Sequence, residues 1–422
     1  MIDDPNGFLR GLFDAALAAV AAERRVPPCL PPPPGGRTVV VGAGKAAAAM
    51  ARAVENNWPG ALSGIVVAPY GHAVPCDRIE VIEAAHPVPD AAGVEAARRL
   101  LDAVAALGPD DLVIALMSGG GSALLASPAP GITLADKQAL TTALLKSGAP
   151  IGEMNAVRKH LSAIKGGRLA TAAWPAPVTT LVVSDVPGDD PATVASGPTL
   201  GDATTLAEAR AILDARGIAV PPAIARHLEK DRSETPGPDD TRFAANTSQI
   251  VARAADALAA AAACADAAGV EALILSDDIE GAAHEVAQRQ AALALDRIAA
   301  GQAMVLLSGG ETTVRIEGDA DGAAGGRNTE FALALALSLN GRSGISALAC
   351  DTDGIDGAAG AAGAVIGPDT LARATRLGLD APGALARHQS APLFRALGAL
   401  VETGPTRTNV NDFRAILIDP NP

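Results

Sequence analysis

The chain has 422 residues, of which 49% are hydrophobic but only 2% aromatic, and it carries a formal net charge of −14. That length exceeds one ordinary domain and predicts two, each with a core of Ala, Val, Leu and Ile. No Lys/Arg-rich run offsets the acidity, which excludes nucleic acid as an expected partner, and an anionic ligand would need local Lys and Arg to reverse the field. Cys29, Cys76, Cys264 and Cys350 form no C-x-x-C pair. This argues against a thiolate zinc site and a disulfide scaffold and fits a reducing compartment. Asp3 and Asp4 stand where a secretory leader would be basic, and Asp256 and Asp266 interrupt the alanine-rich stretch near residue 260. The expectation is a soluble, cytoplasmic protein with no membrane partner.

In chain order, apolar spacing predicts an amphipathic helix over 7–24, followed by a stiff extended connector, PPCLPPPP, over 27–34. Thr38 to Val41 reads as a buried strand. Gly42-Ala43-Gly44-Lys45-Ala46-Ala47 then opens an alanine helix in the weak G-x-G-x-x-A form of a dinucleotide fingerprint. The next strand, Gly64 to Ala68, ends in Pro69-Tyr70 and lacks the acidic residue that holds a ribose hydroxyl. The loop is not a Walker A loop either, since Val39 is not glycine and no Ser or Thr follows Lys45. Lys45 therefore reads as a point-charge ligand for phosphate or carboxylate. After a strand at 79–83, His86-Pro87-Val88-Pro89-Asp90 forms a rigid loop with Asp90 as the expected N-cap; His86 is either a ligand contact or structural.

The run Leu112 to Met117 has the length of a buried strand and stops at Ser118-Gly119-Gly120-Gly121-Ser122, after which an apolar run resumes. A glycine turn from strand to helix presents backbone N–H donors, and the serines add hydroxyls. These five residues are the first candidates to hold phosphate. Helices are expected over 132–145 and from Ile151 through the densest basic stretch, Arg158, Lys159, His160, Lys165 and Arg168. Most of these cations are assigned to a solvated helical face, with one or two turned to the anion site. A strand over 177–183 ends in Asp185, Asp189 and Asp190, which either hold Mg²⁺, take a proton from a hydroxyl, or cap the following turn.

The polar, proline-rich stretch 231–242 marks a boundary, giving domains 1–240 and 241–422. Beyond it a helix is expected over 250–267, a strand over 271–275, a helix ending at Ala299, and a strand over 304–307. That last strand ends in Ser308-Gly309-Gly310, an echo of the first glycine turn. Thr312 to Glu317 reads as a return strand, making this sheet mixed. Gly325-Gly326 opens a helix over 329–338, with Arg327 placed as a bidentate anion fork. The alternate acids from Asp351 to Asp356 begin like an EF-hand loop, but no glutamate closes it, so calcium is rejected. Polar turns at 403–406 and 409–412 precede a final strand, Arg414 to Ile418.

Taken together, VVVGAGKAA, HPVPD, MSGGGSALL, NAVRKHLSAIKGGRLA, SDVPGDDPATVASGPT, LSGGETTV, GGRNTEFALA, TDGIDG and TGPTRTNVND run in order from about residue 38 to 415. The set resembles the class II glycerate 2-kinases, whose C-terminal part is the MOFRL domain. The resemblance implies ATP-dependent phosphorylation of D-glycerate at the 2-hydroxyl, with Mg²⁺. It also implies an α/β fold: a Rossmann-like doubly wound N-terminal domain and a smaller C-terminal α/β domain with a mixed sheet, the active site lying in the cleft between them. Lys45 and Arg327 match positions the family relies on. The assigned roles are Lys45, Arg327 and Asp189 in catalysis, Ser118 to Ser122 with Gly309 and Gly310 on ATP phosphates, and Asp353 on the metal. A homodimer is compatible with this reading. One departure stands out: where the family usually continues T-D-G-x-D-G-P-T-D, this chain has Ala358-Ala359-Gly360, and Asp351 replaces a common glycine. The rival readings are an NAD(P)H-dependent hydroxypyruvate reductase and a non-catalytic anion-binding module.

Overall fold

A computed structural model describes residues 2–316 and 323–421. Its N-terminal sheet grows from the β-branched run after the proline stretch. The strands are β1 (Thr38–Ala43), β2 (Ser63–Pro69), β3 (Ile79–Ala84), β4 (Leu112–Ser118), β5 (Val178–Val183) and β6 (Thr247–Ala252), in the order β3-β2-β1-β4-β5-β6. Every pairing from β3 to β5 is parallel. β1 and β4 are buried along their whole length, as expected of central strands covered on both faces. Alternate residues Val39 and Val41, Val113 and Ala115, and Val178 and Val182 enter one core with Leu100 and Val104 of helix Ala91–Val104. Asp90 caps that helix as expected, accepting from Gly93 N at 3.0 Å.

The C-terminal sheet is mixed. Its strands β7 (Ala272–Ser276), β9 (Met304–Ser308), β11 (Ile345–Asp351), β12 (Gly363–Ile366), β13 (Leu400–Val401) and β14 (Asp412–Ile418) run in the order β13-β12-β11-β14-β9-β7. Among the described residues of this sheet, only β7 and β9 pair in parallel. β8 (Gly281–Ala282) and β10 (Thr312–Thr313) form a separate two-residue ribbon. The return strand expected over 312–317 is thus reduced to two residues outside the main sheet, and Glu317 lies outside the described residues.

The helix expected over 250–267 is also corrected. Ile250 to Ala252 belong to β6, and the helix starts at Ala254. A three-residue apolar run followed by one arginine and then alanines carries too little periodicity to mark that break. In the proline stretch, Pro27–Cys29 form a short 3-10 turn.

The chain divides into two compact units, residues 22–251 and the first 21 residues with those from Ala252 onward. Helix Pro5–Val20 accordingly belongs to the C-terminal unit, where the division at 240 had placed it by chain order with the N-terminal one. It buries Leu9, Leu12, Phe13 and Ala16 at helical spacing, and the Phe13 ring lies 5.5 Å from that of Phe413. Among the described residues no helix is long and apolar enough to cross a membrane.

Candidate functional site

In the N-terminal sheet the strand order reverses direction between β1 and β4, and the loops after these strands meet at their carboxyl ends. In open α/β sheets this is where ligands bind. Lys45 N donates to Gly119 O at 2.9 Å and Ala46 N to Ser118 Oγ at 3.0 Å, which locks the two loops together. Gly120 has φ +80°. A Cβ there would lie 3.1 Å from the His86 ring and 3.5 Å from Lys45 Cγ, so the lysine stem and the imidazole converge on this glycine. Gly121 packs equally closely against Ala43 O and Ala195. Ser122 Oγ lies 2.8 Å from Ser196 Oγ. Lys45, His86, Ser118–Ser122 and Ser196 therefore form one neighbourhood. At Gly44, φ is +134° and an added Cβ would stand 2.1 Å from Ser118 Oγ. Gly44→Ala is expected to destabilise the protein by roughly 1–3 kcal/mol, read as a lower thermal midpoint. An unchanged midpoint would show that the junction yields freely.

The loop after β5 carries the acids. Asp190 caps its own turn, accepting from Ala192 N and Thr193 Oγ1 at 3.0 Å each. Asp189 is half-buried and sits at φ +55°. Ala195 and Ser196 also have positive φ, at 53° and 61°. Non-glycine residues in this region cost of order 1–3 kcal/mol each, and such strain clusters at functional sites. No sequence rule exposes it, because alanine and serine give no cue of a left-handed backbone.

The basic stretch does not lie on a solvated helical face, which corrects the expectation for it. The helix ends at His160, and Lys159, His160 and Lys165 are buried. Lys159 Nζ pairs with Asp202 at 3.2 Å, and His160 Nε2 lies 2.9 Å from Glu234 Oε1. Lys165 Nζ donates to the carbonyl and hydroxyl of Ser122. Gly166 and Gly167, at φ +56° and +77°, fasten this turn to the carbonyls of Ser196 and Gly197. Helical periodicity missed this because Lys159 and His160, in the last turn of the helix, pair with Asp202 and Glu234 far along the chain, and Lys165 lies beyond the helix end.

In the C-terminal unit Arg327 begins helix Arg327–Leu339 and is gripped by three carboxylates: Asp412 at 2.6 Å, Asp351 at 2.7 Å and Glu311 at 2.9 Å. Burial disfavours its charge, but these carboxylates outweigh that and hold its pKa well above the ordinary guanidinium value. Asp412 also accepts from Asn328 Nδ2 at 2.7 Å and from the fully buried Arg414, whose guanidinium lies over the Phe331 ring. Burial alone would raise Asp412, yet Arg327 and Arg414 keep it below the usual carboxylate value. Arg414 also donates to Gly309 O at 2.9 Å, and Gly310 O accepts from Asp412 N at 3.0 Å, so the second glycine turn is tied into this network. Asp353 is buried and accepts from Ile355 N at 2.7 Å. Among the described residues no group of three or more His, Cys, Asp or Glu side chains is arranged to hold a metal ion.

Asp356, one of the alternate acids that begin like an EF-hand loop, caps helix Arg327–Leu339. Its carboxylate accepts from the N–H groups of Asn328 and Thr329 at 2.9 and 2.8 Å. Burial, with the Asp412 charge adding to it, raises its pKa to about 6. Between about pH 4 and 6 the folded chain keeps a proton that the unfolded chain has lost, so stability falls as pH rises. The stabilising contribution of this retained proton, about 3 kcal/mol, is present in full below about pH 4 and lost above about pH 6. Urea unfolding across that window should show a shallower fall for Asp356→Asn than for the natural chain. Parallel profiles would exclude the assignment.

These features define a two-unit α/β protein whose parallel sheet carries a lysine and a glycine turn at its switch point, and whose mixed sheet carries a buried arginine–carboxylate network. Residues 8–229 match the family described as a domain of unknown function (DUF4147), and residues 304–412 match the MOFRL family. The chain belongs to this DUF4147–MOFRL family. It is 54% identical over 415 residues to a "putative hydroxypyruvate reductase" of Agrobacterium vitis, covering 97% of this chain and 94% of that protein. It is 38% identical over 376 residues to the D-glycerate 2-kinase of Thermotoga maritima, covering 87% and 88%. The crystal structure of the Thermotoga maritima glycerate kinase matches with a TM-score of 0.86 at 35% identity, covering 98% of this chain and 99% of that one.

Proposed function

We propose that the protein is a glycerate kinase that transfers the γ-phosphoryl group of ATP to the 2-hydroxyl of D-glycerate. The relatives of that name support this reading. The observation that carries it against the reductase alternative is the hydrogen bonding of the first βα turn. Gly44 N donates to Val67 O, Lys45 N to Gly119 O, Ala46 N to Ser118 Oγ and Ala47 N to Gly44 O. A dinucleotide pyrophosphate needs such amides, and here four in succession are spent on the protein itself. The G-x-G-x-x-A turn therefore works as a structural junction that presents Lys45.

Phosphoryl transfer requires positioning and charge neutralisation more than covalent chemistry. In this reading Lys45 meets the transferring phosphoryl group, with the Ser118–Ser122 turn beside it. Arg327, fixed in place by a carboxylate on each of its three nitrogens, has two N–H donors left for the substrate's anionic end. Asp189 takes the proton of the 2-hydroxyl as the new O–P bond forms and ADP leaves. Of the described carboxylates Asp353 is the one that would help hold a magnesium ion accompanying the nucleotide. When bound, the ion neutralises phosphate charge.

The test is glycerate-dependent release of ADP, with phosphorus NMR assigning the product as the 2- or 3-phosphate. Stoichiometric NADH oxidation by hydroxypyruvate without ATP would overturn the proposal in favour of a reductase.

A further inference from the structure

The N-terminal unit contains a cavity of about 370 Å³ beside the glycine turn, with Ser122 in its wall. Three cations line it: Lys137 from helix Leu134–Lys146, Arg158 from helix Ile151–His160, and Lys165 from the glycine turn that follows. No carboxylate is among its lining residues. In a chain of net charge −14 this convergence opposes the overall field. Leu134, Leu145, Ile151 and Met154 add apolar lining. Leu145 and Ile151 are 61% and 63% exposed, so part of this apolar lining is uncovered. Burial, then the neighbouring Arg158, lowers the Lys137 pKa to about 7. Lys165 is pushed well below the ordinary lysine value by burial and then by Lys137 and Arg158. Cations so depressed gain most from an arriving anion, which restores their preference for the charged form.

A three-carbon hydroxy acid has no group for the apolar lining and fills only a fraction of the space. The shape calls for a ligand with an anionic end and a flat, weakly polar body. We infer that this cavity seats the nucleotide of the proposed kinase reaction, with phosphates on Lys137, Arg158 and Lys165 and the purine base between Leu134, Leu145, Ile151 and Met154. This rests on the kinase reading and adds to it a nucleotide seat beyond the glycine turn. Gln138, whose Nε2 donates to Pro89 O, and Thr141 add polar groups to the lining.

The experiment measures ADP affinity by calorimetry for the full-length protein and for Arg158→Gln, Lys137→Met and Ile151→Glu, with circular dichroism as a check on folding. Alongside it, 8-azido-ATP is photolysed on the natural chain and the labelled peptides are identified by mass spectrometry. The expected result is a tenfold or greater rise in the ADP dissociation constant for each variant, an unchanged KM for glycerate, and label within residues 134–158. Ile151 is exposed, so Ile151→Glu tests the seat without burdening the core. If the natural chain phosphorylates glycerate but folded variants keep their ADP affinity, or lose affinity for glycerate instead, the placement is overturned and the kinase reading stands. If the natural chain shows no nucleotide-dependent turnover, both fall.

Discussion

Lys45→Ala is expected to lower kcat/KM for glycerate phosphorylation by ~10² or more, about 2.7 kcal/mol of lost transition-state stabilisation, while the thermal midpoint stays close to that of the natural chain. The reason is local. Its backbone N–H ties the β1 loop to Gly119, and alanine keeps that bond while removing the side chain that lies beside Gly120 and His86. A helix start disfavours a cation, so the position makes sense chiefly where an anion arrives. Steady-state kinetics with both substrates varied would check it. Near-normal turnover would remove Lys45 from the mechanism and leave its loop as a structural clasp.

The second large effect concerns stability. Asp412→Ala removes the carboxylate that Arg327, Asn328, Thr312 and the fully buried Arg414 share. Arg414 would then be a buried charge without a carboxylate bonded to it, and breaking such a pair from one side costs about 3–5 kcal/mol. Chemical unfolding should show the C-terminal unit losing this amount, with activity falling as Arg327 loses one of its three anchors. Restoring volume without charge, as in the double variant Asp412→Leu with Arg414→Met, is expected to recover stability but not activity, because packed apolar replacements often match a buried ion pair. If Asp412→Ala unfolds at the same urea concentration as the natural chain, the network contributes little.

The strands that carry the site were legible in the sequence wherever an apolar run ended in glycine or acid: β1 before Gly42–Lys45, β4 before Ser118–Ser122, β5 before Asp185 and β9 before Gly309. Period and length suffice there, since a central parallel strand must be apolar throughout and must stop at a turn. β6 was hidden because alanine serves strand end and helix equally, and β12 and β13 because runs of four and two residues carry no period. Lys45 and Arg327 stand out in the sequence as cations at glycine turns. The buried roles of Asp356 and Arg414 do not, because nothing in their local sequence distinguishes a buried helix cap or a buried guanidinium from ordinary surface polarity.

The sequence by itself determined the two α/β layers, the identity of the turns and the family, through ordered short motifs whose residue types chemistry constrains. Only the tertiary structure decided that helix Pro5–Val20 packs with the C-terminal unit, that Lys159, His160 and Lys165 are buried, and that Arg327 is held by three carboxylates. Those are contacts between residues distant in the chain. Burial and charge pairing, which set the chemistry of a cation, come into being only when such segments meet.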